Sequence, residues 1–386
     1  MPRPRYCRNP SCEYCYHPPP GFLVRNGTYH TQAHGTVQRY KCRRCGRGLS
    51  SQSESMYAYS KRRIDLGEVF SRLRGGSSQR DIARELGCSR TAVATAMLRL
   101  ARQAMSAHIL LVCGLGSSRR MCFDGLVSAL TSRDYPTQIS VLADAERQLI
   151  LAMTHCTTER GGSRTEAQKR RISRKRALWQ PEPQALSESI RLLVNELGRF
   201  ASPEGVHIDT DEHPLYAKVL ATDLAMRWFR HTGRLSVRRT PGAAPRTPEN
   251  PLFLMNYLDR MIRHRMKEHT RESIALGRNA SAQMHRMWIF AWDHNTRQPR
   301  RVGTTGEPSR AEAAGVAPVV LNRLKREFTT RRCSLRSLAV PQSIRRVWTA
   351  ELDSPPVRWR RAQKTRGPRV PAFALRDLSF AYPHVE

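Results

Sequence analysis

Five cysteines crowd the beginning of the chain and limit what it can fold into. Of the ten cysteines in 386 residues, Cys7, Cys12 and Cys15 come first, and Cys42 and Cys45 follow after a gap. Two close groups of thiols on either side of a loop can close a tetrahedron around a metal ion. So short a segment cannot bury enough apolar surface to fold unaided, so we expect the metal to hold it together.

The spacing of these cysteines leaves two ligand sets open. Cys12 and Cys15 have the tighter spacing, but Cys7 and Cys12 can also join Cys42 and Cys45. We favour Cys7, Cys12, Cys42 and Cys45 as zinc ligands and keep Cys15 as the alternate. Because four protein ligands leave no open position on zinc, such a site is structural. The residues between the two groups alternate apolar with polar and include glycine turns, which predicts short ribbon strands.

Positive charge dominates the chain. It has 66 Lys and Arg against 32 Asp and Glu, a net charge of +34 and a pI near 11.0. Such an excess attracts polyanions, of which nucleic acid is the commonest. No apolar run approaches the ~20 residues of a membrane-spanning helix, and the start lacks the apolar core of a signal peptide. We therefore expect a cytoplasmic protein without a membrane partner, whose clustered cysteines bind metal.

Residues 57–106 predict a helix followed by a helix-turn-helix. Ser78 stands where its side chain can cap one helix, with Asp81 as the reciprocal partner, and Ser89 can cap the next. Gly87 supplies the turn between these two helices. This spacing is typical of the DNA-binding motif whose second helix enters the major groove.

Four residues of that second helix are the predicted DNA contacts. Arg90 and Thr91 stand at its N-terminus, where side chains of a recognition helix meet base edges. Arg99 and Arg102 lie further along and are expected to meet phosphates.

An acid stands inside an apolar strand in the central region. The stretch RRMCFDGLVSAL, residues 119–130, predicts a strand that contains Asp124. A carboxylate in such a strand is unfavourable unless it is paired or binds a metal. Two further apolar stretches predict a meander with this strand, and the basic residues near 157–182 predict a surface insertion.

A second concentration of acids follows in GVHIDTDEHPLY, residues 205–216. Val206 and Ile208 form a short apolar lead, and Asp209 and Asp211 stand near its end. The lead is preceded by an amphipathic helix and followed by a helix, a strand and a long helix. The predicted order is three strands, helix, strand, helix, strand and helix.

Taken in order, these segments resemble bacterial insertion-sequence transposases of the DDE class. The resemblance covers about residues 5–300 and rests on VQRYKCRRCG, CFDGLVSA, TDEHPLY and RMIRHRMKEHTRES. It implies an RNase H-like core in which three carboxylates hold two divalent ions, Mg²⁺ or Mn²⁺. These ions activate water or a DNA 3′-hydroxyl and stabilise the phosphoryl transition state.

The same resemblance implies which residues are the first two acids. Asp124 matches the first acid, which in the family stands in a strand. Asp211 matches the second, because the family has a Tyr five residues later and Tyr216 fits. Asp209 is the fallback, since alternation places it on the same strand face as Asp211.

The third acid departs from the family. There a Glu is followed one turn later by Asn and then by Arg, whereas this chain has Asn256, Asp259 and Arg263. The three still share one helix face. We expect Asp259 to complete the site, with Asn256 as a second ligand or orienting group and Arg263 in support. Glu268 and Glu249 are weaker candidates, because one faces the opposite side and the other precedes the helix.

The expected fold is multidomain α/β. A zinc ribbon at 1–50 and a helix-turn-helix domain at 57–106 precede an RNase H-like mixed-sheet core at 116–300, and a basic, Pro-rich extension follows at 301–386.

The resemblance implies an enzyme that binds the terminal repeats of an insertion sequence and target DNA. It would act on double-stranded DNA as a dimer or higher oligomer, in the nucleoid of a bacterial cytoplasm, and would cut and join strands. The exchanged third acid leaves open an inactive, domesticated transposase that serves as a sequence-specific DNA-binding regulator. A metal-dependent nuclease or resolvase that does not join strands is a further alternative.

Overall fold

The computed structural model of the chain describes residues 3–271, 273–301, 306–335 and 338–357. The part of the predicted C-terminal extension beyond residue 357 lies outside the described residues. Within them the architecture is mixed α/β, with a three-stranded sheet at the N-terminus and a five-stranded mixed sheet further along the chain.

The N-terminal sheet is antiparallel. Its strands are β1 (Leu23–Thr31), β2 (Gly35–Cys42) and β3 (Gly48–Ser50), in that order, and a 3-10 helix at Glu13–Cys15 precedes them. The predicted ribbon strands are therefore present. Phe22, Leu23 and Leu49 pack with buried cysteines in a small cluster, so the thiols make up part of the core of this segment.

Three helices follow: α1 (Leu66–Arg74), α2 (Gln79–Glu85) and α3 (Arg90–Val112). The side chain of Ser78 accepts a hydrogen bond from the N–H of Asp81 at 3.2 Å, and that of Ser89 accepts one from Ala92 at 3.2 Å. Each bond satisfies an amide that has no partner within its helix, and both predicted caps are confirmed. Gly87 adopts a φ of 57°, which a glycine accommodates most easily, in the turn between α2 and α3.

The larger sheet combines antiparallel and parallel pairing. Strands β4 (Arg120–Leu130), β5 (Ser132–Asp144) and β6 (Leu149–Thr157) form the predicted antiparallel meander. Strand β7 (Val206–Asp211) pairs parallel to β4, and β8 (Leu235–Thr240) pairs parallel to β7. The strand order across the sheet is β6-β5-β4-β7-β8.

Helices occupy the connections. Helix α4 (Glu166–Arg176) lies in the predicted basic insertion, α5 (Ala185–Phe200) precedes β7, and α6 (Pro214–Thr222) and α7 (Leu224–His231) separate β7 from β8. After β8 come α8 (Phe253–Arg265), α9 (Ala280–Thr296), α10 (Arg310–Ala313), α11 (Pro318–Glu327) and α12 (Gln342–Trp348). Apart from α4 and the division between α6 and α7, the order of elements from β4 to α8 is the predicted one.

The two faces of the larger sheet belong to separate hydrophobic clusters. Met121 and Phe123 of β4 pack with apolar residues of α5, α6 and α7. Cys122 and Leu126, on the opposite face, pack with those of α3 and α9. Because successive side chains of a strand point to opposite faces of the sheet, both faces are covered by helices, and the arrangement has three layers.

Helix α3 continues beyond the domain limit predicted at residue 106. Its 23 residues run to Val112, and nearly all of those after Leu100 are buried. Val93 near its start and Ile109 near its end belong to one hydrophobic cluster that also contains residues of the larger sheet. The helical segment and the larger sheet therefore share a core.

The chain after residue 301 also enters this core where it is described. The ring of Phe328 stacks on that of Trp292, with centroids 5.0 Å apart and planes 6° from parallel. Val347 and Trp348 of α12 are buried as well. The described part of the predicted C-terminal extension thus contributes apolar residues to the core, through contacts with distant partners that no local motif marks.

A buried ion pair connects the segment after the N-terminal sheet to the segment after α11. The Nε of Arg331 donates to Oε2 of Glu54 at 2.8 Å, and both side chains are less than a tenth exposed. Glu54 also accepts a hydrogen bond from the backbone N–H of Arg5 at 2.8 Å. Residues 51–56, which separate the first two predicted domains, are thus held against the C-terminal segment.

Arg331→Met is expected to destabilise the protein by about 3–5 kcal/mol, because it leaves the Glu54 carboxylate buried without its cation. The matched control is Arg191→Met, since Arg191 pairs with Glu188 on an exposed face of α5 and such pairs contribute less than about 1 kcal/mol. Urea unfolding measures both changes. Equal losses for the two variants would contradict a structural role for the buried pair.

Stability is expected to fall when the pH drops from about 6.5 towards 4. Burial lowers the pKa of His108 and His285 to about 4 and that of His269 and His294 to about 3. Between these values and the ordinary pKa of 6.5, the unfolded chain binds more protons than the folded chain does. Each buried histidine therefore makes the unfolding free energy fall by about 1.4 kcal/mol for each pH unit of acidification in this range.

The contribution of one histidine can be isolated by substitution. His285→Gln should reduce that slope, whereas His264→Gln should leave it unchanged, because His264 is exposed on α8. Unfolding free energies measured at several pH values test this difference. An unchanged slope in His285→Gln would contradict the inference that this ring is neutral in the fold.

Candidate metal centres and nucleic-acid interface

Four thiols meet beside the N-terminal sheet. The Sγ atoms of Cys7, Cys12, Cys42 and Cys45 all lie within 4.8 Å of one another. Those of Cys7 and Cys45 are 3.5 Å apart, and those of Cys12 and Cys42 are 3.9 Å apart. Sulfurs bound at about 2.3 Å to a tetrahedral zinc ion are about 3.8 Å apart. The group can therefore hold a structural metal such as zinc, and it is the set that the sequence analysis favours.

Cys15 lies outside this group, although it is buried and its N–H donates to the carbonyl of Cys12 at 2.8 Å. Burial raises the pKa of Cys7. Burial also acts to raise the pKa of Cys45, but the backbone of Arg47 and neighbouring side chains, including other thiols, outweigh it and lower the value to about 7. A lower thiol pKa favours the thiolate form that binds metal.

Two of the predicted acids stand on adjacent parallel strands. The register pairs Cys122 of β4 with Asp209 of β7. Asp124 and Asp211 come two residues further along their strands and so belong to the same face of the sheet. The Oδ1 of Asp211 accepts a hydrogen bond from the N–H of His213 at 2.8 Å, which fixes this carboxylate where the strand ends.

The carboxyl group of Asp124 is electrostatically crowded. Burial, followed by the negative charges of Asp211 and Asp259, raises its pKa to about 7, against the opposing hydrogen bond from the N–H of Gly125. The two other acids thus act on the same group, although they come from β7 and α8. A positive charge placed among the three would relieve their repulsion.

Asp259 is partly exposed on α8. Its side chain is 36% exposed, and its Oδ2 lies 3.9 Å from Nη2 of Arg263. Burial raises the pKa of Asp259, whereas the charges of Arg263, Arg246 and Arg271 lower it. A contact of this length is a loose ion pair, so Asp259 is not tightly bound to Arg263.

The three carboxylates are spaced more widely than the thiols. In the described ranges, the four thiols are the one group of three or more cysteines, histidines and acids that lies close enough to hold a metal ion. Asp124, Asp211 and Asp259 therefore interact through their charges without forming a closed ligand set.

Asp209, the fallback for the second acid, is occupied by other partners. Its fully buried carboxylate is bonded by Nε of Arg238 at 2.7 Å, Nε of Arg120 at 2.8 Å and Nε2 of His207 at 3.1 Å. Burial opposes ionisation, but these partners hold the pKa below its ordinary value. The arrangement favours Asp211 as the available acid and gives Asp209 the role of joining β4, β7 and β8.

Arg263 links α8 to neighbouring backbone. Its Nη1 donates to the carbonyl of His269 at 2.6 Å and its Nη2 to the carbonyl of Val127 in β4 at 3.3 Å. These bonds tie the helix that carries Asp259 to the strand that carries Asp124. Asn256 is half-buried one turn before Asp259 on the same helix.

The two weaker acid candidates do not join this group. Glu268 is buried and pairs with Arg286 at 3.1 Å. Glu249 is exposed in the loop before α8.

Sequence reasoning missed Gln138, whose side chain lies beside Gly125 and contacts Tyr216. The hydroxyl of buried Tyr216 accepts a hydrogen bond from Nε2 of Gln138 at 3.3 Å, and the ring packs edge-on against Phe123 with centroids 4.9 Å apart. A Cβ at position 125 would collide with the Gln138 side chain. Gly125 is therefore needed for this close approach, and the glycine directly after Asp124 was the available signal.

The predicted DNA contacts divide into two exposed and two internal residues. Arg90 and Thr91 are exposed at the N-terminus of α3. Arg99 instead donates from Nη1 to the carbonyls of Met56 at 2.7 Å and Ala58 at 2.9 Å.

Arg102 is buried, and its Nε donates to the carbonyl of Trp348 at 3.0 Å. The structure therefore places Arg102 against α12 and not on the exposed surface of α3 that carries Arg90 and Thr91.

No protein-family model and no curated protein matches the chain. Among the described residues, no helix has both the length and the apolar composition to cross a membrane.

Proposed function

We propose that this protein is a DNA transposase of the insertion-sequence type with a two-metal catalytic core. The observation that carries the proposal is that Asp124 and Asp211 lie on one face of neighbouring strands and that the charges of Asp211 and of Asp259 from α8 both act on Asp124. Acids that shift one another's pKa in this way are more common at functional sites than elsewhere, and here they stand in a strongly basic chain.

The topology supports the same proposal. Three antiparallel strands followed by two parallel ones, in the order β6-β5-β4-β7-β8, form the sheet expected of an RNase H-like core. Asp124 lies on the central strand β4, and Asp211 ends the neighbouring strand β7. Ligand and catalytic groups commonly gather where parallel strands end.

The acids fit divalent cations because carboxylate oxygens are the ligands that Mg²⁺ and Mn²⁺ prefer. Such ions, when bound, would activate the attacking hydroxyl and stabilise the charge of the phosphoryl transition state. Asp124 and Asp211 would contribute oxygens from the sheet, and Asp259 would contribute one from α8. Arg263 would position α8 through its bond to Val127, and Asn256 would orient a ligand.

DNA recognition is assigned to the part of the chain that ends with α3 at Val112. The four-cysteine segment would serve as a zinc ribbon, and α2 and α3 as a helix-turn-helix with Arg90 and Thr91 directed to base edges. These elements would bind the terminal repeats, and the net charge of +34 would attract both end and target DNA. Bringing two ends together would need at least a dimer, which we place in the bacterial nucleoid.

Cleavage and joining of DNA tests the enzyme. The substrate carries the element's own ends, and the reaction contains Mg²⁺ or Mn²⁺. Wild type is expected to cut the DNA and join the 3′ end to a target, whereas Asp124→Ala, Asp211→Ala and Asp259→Ala should bind DNA without cutting it. Cutting without joining would instead indicate a nuclease or resolvase.

A regulator without catalytic activity is the second candidate. It is favoured by Asn256, which stands where the family has Glu, and by the absence of a closed carboxylate ligand set among the described residues. This candidate predicts sequence-specific binding with no cutting in either metal.

A further inference from the structure

A cleft of about 450 Å³ opens between the start of α3 and the segment that leads into α1. One wall is formed by Ser89, Thr91 and Thr95 of α3, and the other by the segment from Tyr57 to Arg62. Its volume lies in the range of sites that take small organic ligands. Because Thr91 belongs to both the cleft and the predicted base-contacting residues, the cleft borders the proposed DNA surface.

Two tyrosines give this cleft its aromatic character. Tyr57 is fixed, since its hydroxyl accepts a hydrogen bond from the N–H of Leu66 at 3.2 Å and the guanidinium of Arg63 lies 5.2 Å from its ring centre. Tyr59 is 77% exposed and adopts a φ of 59°, which a non-glycine residue rarely does. This unfavourable backbone conformation presents a large and mostly exposed ring to the cleft that it lines.

Positive charge lines the same cleft. Lys61 and Arg62 are exposed at its edge, and Arg99 lies deeper. Arg99 bonds only backbone carbonyls, and in the part of the chain that the structure describes no carboxylate pairs with it. A partly buried cation without an acid favours an anionic ligand.

We propose that this cleft binds one unpaired nucleotide of DNA, with the base against Tyr59 and the phosphate near Lys61 and Arg62. The inference rests on the DNA-binding part of the proposed function and holds for a transposase and a regulator alike. The bases of an intact duplex are already stacked, so only an unpaired or extruded base can enter a ring-lined cleft.

The geometry assigns separate tasks to neighbouring elements. Arg90 at the N-terminus of α3 would contact the paired DNA, and the cleft would bind a nucleotide displaced from the duplex. Substitution of Tyr59, which lies on the wall opposite α3, should therefore change the preference for unpaired DNA without changing the affinity for paired DNA.

The test uses the zinc-loaded full-length protein and two short duplexes at one salt concentration. One duplex is fully paired, and the other carries a single unpaired 5-iododeoxyuridine. Wild type is expected to bind the second about tenfold more tightly, since stacking on an aromatic ring contributes roughly 1–3 kcal/mol per base. Ultraviolet light should crosslink the iodinated base to the peptide that contains Tyr57 and Tyr59.

Three variants separate stacking from folding. Tyr59→Leu should lose the tenfold preference and keep the affinity for the paired duplex, whereas Tyr59→Phe should keep both. Trp228→Leu, which replaces an aromatic side chain that is 48% exposed on α7, should behave as wild type.

Failure of the inference can be distinguished from failure of the proposed function. Equal binding of the two duplexes by wild type, or a crosslink elsewhere in the chain, overturns the nucleotide site and leaves DNA binding intact. Loss of binding to both duplexes overturns the site and the DNA-binding function together. Loss of cutting alone, with the preference retained, removes only the catalytic proposal.

Discussion

Cys42→Ser is expected to release zinc and unfold the N-terminal sheet. Cys42 is buried in a small cluster made largely of thiols and a few apolar side chains. So small a cluster cannot stabilise three short strands alone. Binding of zinc to sites of this kind contributes about 10–16 kcal/mol, far more than other contacts of the segment can replace.

Zinc content and hydrogen exchange measure this effect. The variant should lose the metal, and amides of β1 and β2 should lose protection. Cys15→Ser is the matched control, because Cys15 is equally buried but lies outside the thiol group. Zinc retained by Cys42→Ser and lost by Cys15→Ser would contradict the ligand set.

Asp124→Asn is expected to abolish DNA cutting while it stabilises the metal-free protein. The carboxylate in wild type has a pKa of about 7, because burial and two neighbouring acids disfavour its charge. In the unfolded chain this pKa is near 4. Between pH 4 and 7 the native state therefore binds more protons than the unfolded state, and wild type loses stability as the pH rises through this range. The asparagine removes that loss, which is on the order of 4 kcal/mol above pH 7.

Two readouts make this prediction specific. Cutting should fall by more than about a hundredfold, since loss of a metal ligand exceeds the effect of losing its supporting groups. Urea unfolding near pH 8 should show increased stability. Asp209→Asn should do the opposite and destabilise the protein, because it weakens the hydrogen bonds that the buried carboxylate accepts from Arg120 and Arg238. A change in unfolding free energy of the same sign in Asp124→Asn and Asp209→Asn would contradict the different roles assigned to these two acids.

Local rules predicted much of the fold. The caps at Ser78 and Ser89 and the ribbon strands depend on interactions over a few residues, so the sequence displays them. The burial of Arg102 depends on α12, which lies more than 200 residues later in the chain. Phe328 likewise enters the core through a contact that no local pattern displays, because its ring stacks on Trp292 of another helix.

In the candidate site, too, the sequence predicted what depends on local spacing and did not predict what depends on packing between distant segments. Alternation places Asp209 and Asp211 on one strand face and cannot separate them. Arg120 and Arg238 separate them in the structure, because strand pairing brings these cations to Asp209 alone. Helical spacing predicted the common face of Asn256, Asp259 and Arg263, but the spacing between carboxylates depends on how α8 packs against β4.

Iron-mediated cleavage of the protein chain tests the central claim most directly. With hydrogen peroxide and ascorbate added, Fe²⁺ bound in place of Mg²⁺ reduces the peroxide to hydroxide and a hydroxyl radical, and ascorbate reduces the resulting Fe³⁺ again. The radicals break the backbone beside the ligands. We expect fragments that end near Asp124, Asp211 and Asp259, and we expect them to be suppressed by excess Mg²⁺ and lost in Asp124→Asn. Fragments at only one of the three positions, or a pattern that Asp124→Asn leaves unchanged, would contradict a shared metal site.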